Sequence, residues 1–142
     1  MMKARLNETV IELNRETKEV SIPSNSCNEE AILELDLSDY PYLKYVHIGD
    51  EAFKNVKSVS IQQNMQLKEI IIGEDCFTQS KQGEFYNSTH VINILDCSNL
   101  NKVTVGKYSF SDYGVAVFDS ILIIAILTIS SFSSLIDCWR PS

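Results

Sequence analysis

The side chains able to do chemistry are few and scattered. His47 and His90 are the only histidines, and neither has a second imidazole at one or three residues' remove. A zinc-type site needs several ligands at compatible spacing, so the sequence predicts no metal centre. Four cysteines, Cys27, Cys76, Cys97 and Cys138, lie far apart with no C-x-x-C pair. A nucleophilic thiolate needs a basic neighbour to lower its pKa, and none is identified for Cys76 or Cys97. Free cysteine behaves as a small hydrophobe, so burial is the expectation for Cys76 and Cys97. The acidic pairs Glu29-Glu30, Asp50-Glu51 and Glu74-Asp75 lack the D-x-D-x-D-G calcium loop and read as solvated turn carboxylates. Gly-rich phosphate loops, nucleophile elbows and kinase signatures are also missing. The expectation is a protein that is not an enzyme and carries no cofactor.

Bulk composition narrows the remaining classes. A length of 142 residues allows one ordinary domain, and 44% hydrophobic with 22% charged residues is the make-up of a folded chain rather than a disordered one. Nineteen acidic against twelve basic side chains give a charge of −7, which argues against nucleic acid as partner because phosphate neutralisation needs clustered Lys and Arg. The wide cysteine spacing argues against a disulfide-stapled secreted scaffold. Met-Met-Lys-Ala-Arg-Leu-Asn-Glu at the start has no apolar run behind its basic residues, so no signal peptide is read and an intracellular location is the default. Asn7-Glu-Thr9 and Asn87-Ser-Thr89 fit the glycosylation sequon, which matters only on a secretory route.

What positions the remaining side chains is a repeat. Leu43-Lys-Tyr-Val46-His-Ile48-Gly49-Asp-Glu-Ala-Phe53 returns as Leu67-Lys-Glu-Ile70-Ile-Ile72-Gly73-Glu-Asp-Cys-Phe77 and as Leu100-Asn-Lys-Val103-Thr-Val105-Gly106-Lys-Tyr-Ser-Phe110. The frame is L-x-x-[VI]-x-[VI]-G-x-x-x-F. Ahead of each copy stands an apolar-x-apolar pair: Leu35 and Leu37, Val59 and Ile61, Ile92 and Ile94. Ile11, Val20 and Ile22, with Pro23 at the glycine position and Cys27 at the phenylalanine position, read as a worn earlier copy led by Thr17. The longest interval holds an insertion, residues 78–89, polar enough for a surface loop.

Alternation at two with β-branched residues is the pattern of half-buried strands, not of an amphipathic helix. A short helical turn over 50–56 is compatible with it. The glycine ending each strand is expected to permit positive φ and a sharp turn. One unit cannot bury its own apolar side, so successive units must stack, Leu over Leu and Phe over Phe. The expected fold is a β-rich solenoid of short parallel strands, with three clear coils and one or two degenerate ones. Repeat cores fall near 11–27, 35–53, 59–77 and 92–110, within a solenoid over 1–113.

These residues resemble the BspA-like leucine-rich repeats of bacterial and protist surface proteins. The likeness covers roughly Ile11 to Tyr113, with close matches from Leu33 onward. It implies a leucine-rich-repeat scaffold that binds a protein ligand or host surface without a cofactor. Family members normally begin with a secretion signal and run on for many copies, so this chain reads as a short array or an excerpt.

Beyond Tyr113 the pattern changes. Val115 and Val117 stand where a strand pair is due, but Ile121 to Ile136 has no glycine in register. Residues 120–136 carry no charge, which is only the lower limit for a spanning helix. Segment 114–142 is therefore read as a degenerate repeat, with Leu122, Leu127 and Phe132 at the Leu, Ile and Phe positions, or as a hydrophobic tail. The alternative function that follows is a membrane-tethered surface or adhesion protein anchored by 114–136.

The outward positions of the strand rows are the expected contact surface. On the row ending in glycine the candidates are Tyr45, His47, Glu69, Ile71, Lys102 and Thr104, following Glu19 and Ser21. The preceding row offers Glu34, Asp36, Ser60, Gln62 and Asn93. Mixed aromatic and aliphatic exposure on a sheet suits protein contact.

Overall fold

Strand residues alternate between two faces, and each apolar-x-apolar pair therefore sends both of its members one way. The computed structural model describes residues 2–6, 9–79, 87–118, 127–129 and 140–141 and shows this alternation in every repeat. Twelve strands are described: β1 (Met2–Leu6), β2 (Thr9–Leu13), β3 (Glu19–Ile22), β4 (Glu34–Asp36), β5 (Tyr45–Ile48), β6 (Ser58–Gln62), β7 (Glu69–Ile72), β8 (Asn87–Leu95), β9 (Lys102–Val105), β10 (Tyr113–Phe118), β11 (Leu127–Ile129) and β12 (Arg140–Pro141). No helix occurs among the described residues, and the 50–56 segment consists of turns and unstructured backbone.

Successive strands from β3 on alternate between two five-stranded parallel sheets. One has the order β12-β10-β8-β6-β4, the other β11-β9-β7-β5-β3. Register follows the frame: Val20, Val46, Ile70 and Val103 are successive partners, and so are Ile22, Ile48, Ile72 and Val105. In the other sheet Leu35, Val59, Ile92 and Ala116 align. All of these are buried, as are Leu43, Leu67 and Leu100. The phenylalanines form a column of their own, with ring centroids 5.1 Å apart for Phe53 and Phe77 and 4.5 Å for Phe77 and Phe110. Tyr113 closes it edge-on against Phe110 and donates its hydroxyl to the Val56 carbonyl at 2.6 Å.

The turns are made differently from the expectation. None of Gly49, Gly73 and Gly106 lies in the left-handed region. Three other positions per repeat do: Glu51, Phe53 and Gln63, then Asp75, Phe77 and Asp96, with Asn25, Cys27 and Asp39 before them and Tyr108 and Phe110 after. Positive φ is costly for such side chains. It persists here because these amides bond between repeats, as in Glu51 N–H to Glu74 O at 2.8 Å and Phe77 N–H to Ala52 O at 2.9 Å. The glycines serve close approach instead. A Cβ on Gly106 would stand 2.5 Å from the backbone carbonyl of Gly73, and the Gly106 amide donates to Ile72 O at 2.8 Å.

Three further expectations change. β2 pairs antiparallel with β1, with Lys3 opposite Glu12, so Ile11 lies in a hairpin outside the sheet of Leu35. Frame register would have set Ile11 opposite Leu37 and Glu12 opposite Ser38, whereas the antiparallel register with β1 sets Glu12 opposite Lys3, a position of opposite charge that favours the hairpin. In β10 the buried pair is Ala116 and Phe118, not Val115 and Val117, because pairing with β8 sets Ala116 beside Ile92 and Phe118 beside Ile94, both inward. The insertion is only partly a loop: Thr78 is buried and bonds the Asp112 carboxylate, and residues 87–89 belong to β8. Leu127 pairs with Val103, while Leu122 and Phe132 lie outside the described residues. Among those described, no helix is long and apolar enough to cross a membrane, which leaves strand crossings aside.

Candidate functional site

The outer face of the β3-β5-β7-β9 sheet brings the six candidate residues together. Backbone register sets Glu19, Tyr45, Glu69 and Lys102 in one row, and Ser21, His47, Ile71 and Thr104 in the next. The alternation that buries Val46, Ile70 and Val103 forces their neighbours outward, so this face is a consequence of the core pattern. Lys102 is exposed, whereas Tyr45, His47, Glu69, Ile71 and Thr104 are half-buried.

Glu69 organises the face. Its carboxylate bridges His47 Nε2 at 3.2 Å and Lys102 Nζ at 3.3 Å. The His47 hydrogen bond above all holds the Glu69 carboxyl below the ordinary carboxylate range; desolvation opposes it, and Lys102 adds to the lowering. Tyr45 leans on His47 with ring centroids 6.1 Å apart. The result is a continuous patch of one phenol, one imidazole and one aliphatic side chain around an ion-paired carboxylate. Such a patch can contact a protein surface through apolar area and hydrogen bonds. A nucleophile activated by a base is not among its parts.

The other sensitive groups sit in structural positions. Cys76 is wholly buried and donates its thiol to Gly49 O at 2.9 Å, the contact that Ser109 makes to Gly73 O at 2.6 Å one repeat later. Burial pushes the Cys76 thiol up, and Cys27 goes up to about 12 for the same reason, with Glu29 adding to it. Cys97 is half-buried, its thiol directed at Leu95 O. Of the turn carboxylates, Asp50 and Glu74 are exposed, and Asp50 accepts the Glu74 amide at 2.8 Å, whereas Glu51 and Asp75 are half-buried with Asp75 Oδ1 shut off from solvent, so the solvated reading holds for only one member of each pair. Among the described residues no group of His, Cys, Asp and Glu is arranged to hold a metal ion.

Two features escaped the sequence reading. Asn64 is fully buried; its side-chain amide donates to Leu37 O and its oxygen accepts the Tyr40 amide at 2.7 Å, joining two repeats. A polar residue three before a frame leucine was the available signal. The second is on the outer face of the other sheet, where Val91 and Val115 align and Val117 lies next to Asn93. That apolar patch follows from the β10 register, which the sequence alone did not reveal. No family model, curated protein or solved structure matches the chain.

Proposed function

We propose that this chain is a non-enzymatic protein-interaction scaffold of the leucine-rich-repeat type, a short solenoid or part of a longer array. It meets a protein ligand or host surface through the outer face of β3, β5, β7 and β9. The observation that carries this reading is the juxtaposition of Tyr45, His47 and Ile71 around the ion-paired Glu69. Aromatic residues flanked by satisfied polar groups are the composition of interface centres. Solenoid character is supported by the shared register of the three frame copies and by the alternation of strands between two parallel sheets.

The test compares three immobilised baits in quantitative capture from an extract of the native host: wild type, His47→Asp/Ile71→Asp, and Ser60→Asp on the other sheet. The expected result is a set of proteins enriched by wild type and by Ser60→Asp but lost with the double variant. Equal enrichment by all three would overturn the assignment of this face.

A further inference from the structure

β4 ends the sheet order, so among the described residues its second side has no strand partner. Leu33 O and the Leu37 and Asp39 amides bond toward β6. Alternation therefore points the backbone groups of Glu34 and Asp36 to the open side, while the Ser38 amide donates to the Asp36 carboxylate at 3.1 Å. A groove of about 820 Å³ runs along that side, lined by Arg15, Glu34, Asp36, Ser38 and Tyr40. Neither Glu34 nor Asp36 has an ion-pair partner among the described residues. At the corresponding edge of the other sheet, β3 runs directly into Pro23, which lacks an N–H donor.

The sequence contains a strand whose pattern is the complement of this edge. β1 reads Met2-Lys3-Ala4-Arg5-Leu6, basic and apolar in alternation, and β4 with its next residue reads Glu34-Leu35-Asp36-Leu37. With Ala4 opposite Leu35, Lys3 and Arg5 fall opposite Glu34 and Asp36 whether the strands run parallel or antiparallel. Among the described residues β1 is bonded on one side only, to β2, so its other edge has no strand partner there either. A lone two-stranded hairpin is marginal in water and gains from a third strand.

We propose that the β4 edge is the docking site for β1 of a second copy of this chain. The hairpin of one molecule lays its open edge along β4 of the next and extends the five-stranded sheet by backbone pairing. Charge alternation sets the phase, because a one-residue slip would put Lys3 or Arg5 opposite Leu35. This surface is separate from the face of Tyr45, His47 and Ile71 and does not depend on its role.

The test is light scattering of the size-fractionated full chain over micromolar to millimolar concentration. Lys3→Glu/Arg5→Glu makes both edges acidic, and Glu34→Lys/Asp36→Lys makes both basic. Each alone is expected to weaken self-association at least about tenfold, from several cross-strand pairs reversed at once. An equimolar mixture of the two variants restores association, because each then meets the opposite charge. Circular dichroism confirms that both variants fold; the first lies outside the repeats and suffices if the second does not. A wild type that stays monomeric, variants that associate like wild type, or a mixture that fails to restore association would each overturn the proposal.

Discussion

Replacing Gly106 by alanine distinguishes a glycine needed for its backbone angle from one needed for space. The added Cβ would lie 2.5 Å from Gly73 C, 2.5 Å from Gly73 O and 2.7 Å from Glu74 N. All three are backbone atoms of the neighbouring repeat, so no side chain can swing away. The repeats must separate locally, which strains or breaks the Gly106 N–H bond to Ile72 O. Overpacking costs about 1–3 kcal/mol and the weakened hydrogen bond about 1 more, giving roughly 2–4 kcal/mol. For a chain of this size that is a fall in Tm of about 6–12 °C, read by circular dichroism in thermal and urea unfolding. Asparagine tolerates the left-handed region yet fills the same space, so Gly106→Asn should be no better than alanine. An alanine variant within 0.5 kcal/mol of wild type would refute the close-packing argument, and a stable asparagine variant would restore the backbone-angle explanation.

Phe77 is buried between two stacked rings, so Phe77→Ala should cost about 3–5 kcal/mol, measured by urea unfolding; a loss under 1 kcal/mol would contradict the column. Gln63 is exposed with φ of 58°, and Gln63→Gly should relieve that conformation and raise stability by about 0.5–1 kcal/mol in the same assay. Cys27 is a buried thiol raised from 9.0 to about 12. Unfolding frees it to ionise from pH 9, so its contribution to stability is complete below that pH and is lost between 9 and 12. Cys27→Ala should flatten this alkaline decline, and a wild-type-to-variant difference that stays constant from pH 8 to 11 would contradict the assignment.

Most of the architecture was legible because period-2 alternation and β-branching act locally. Val46 and Ile48 announce a buried pair wherever they occur, and the intervals between copies then fix which residues become strand partners. The phenylalanine column was legible for the same reason. What failed depends on neighbours rather than on local pattern. The glycine reading went to the backbone angle because Gly49, Gly73 and Gly106 end strands, whereas the controlling contact comes from the repeat next door. Ile11 matched the frame, yet its strand pairs with β1 in a hairpin, a partner the frame does not encode. In β10 the sequence offered two valines, and the packed structure buries Ala116 and Phe118 instead. Of the candidate site, the six residues were legible as an outward row. The bridge of Glu69 to both His47 and Lys102 was not, since it depends on side-chain reach across three strands.

Methyl-resolved NMR is the most direct measurement of how the repeats lie. Adjacent strands are about 4.8 Å apart, so next-but-one strands are about twice that. Cross-peaks between Val46 and Ile70 and between Ile70 and Val103, with none between Val46 and Val103, are the predicted result. A Val46–Val103 cross-peak, or the lack of either neighbour peak in the folded chain, would contradict the ordered succession of repeats.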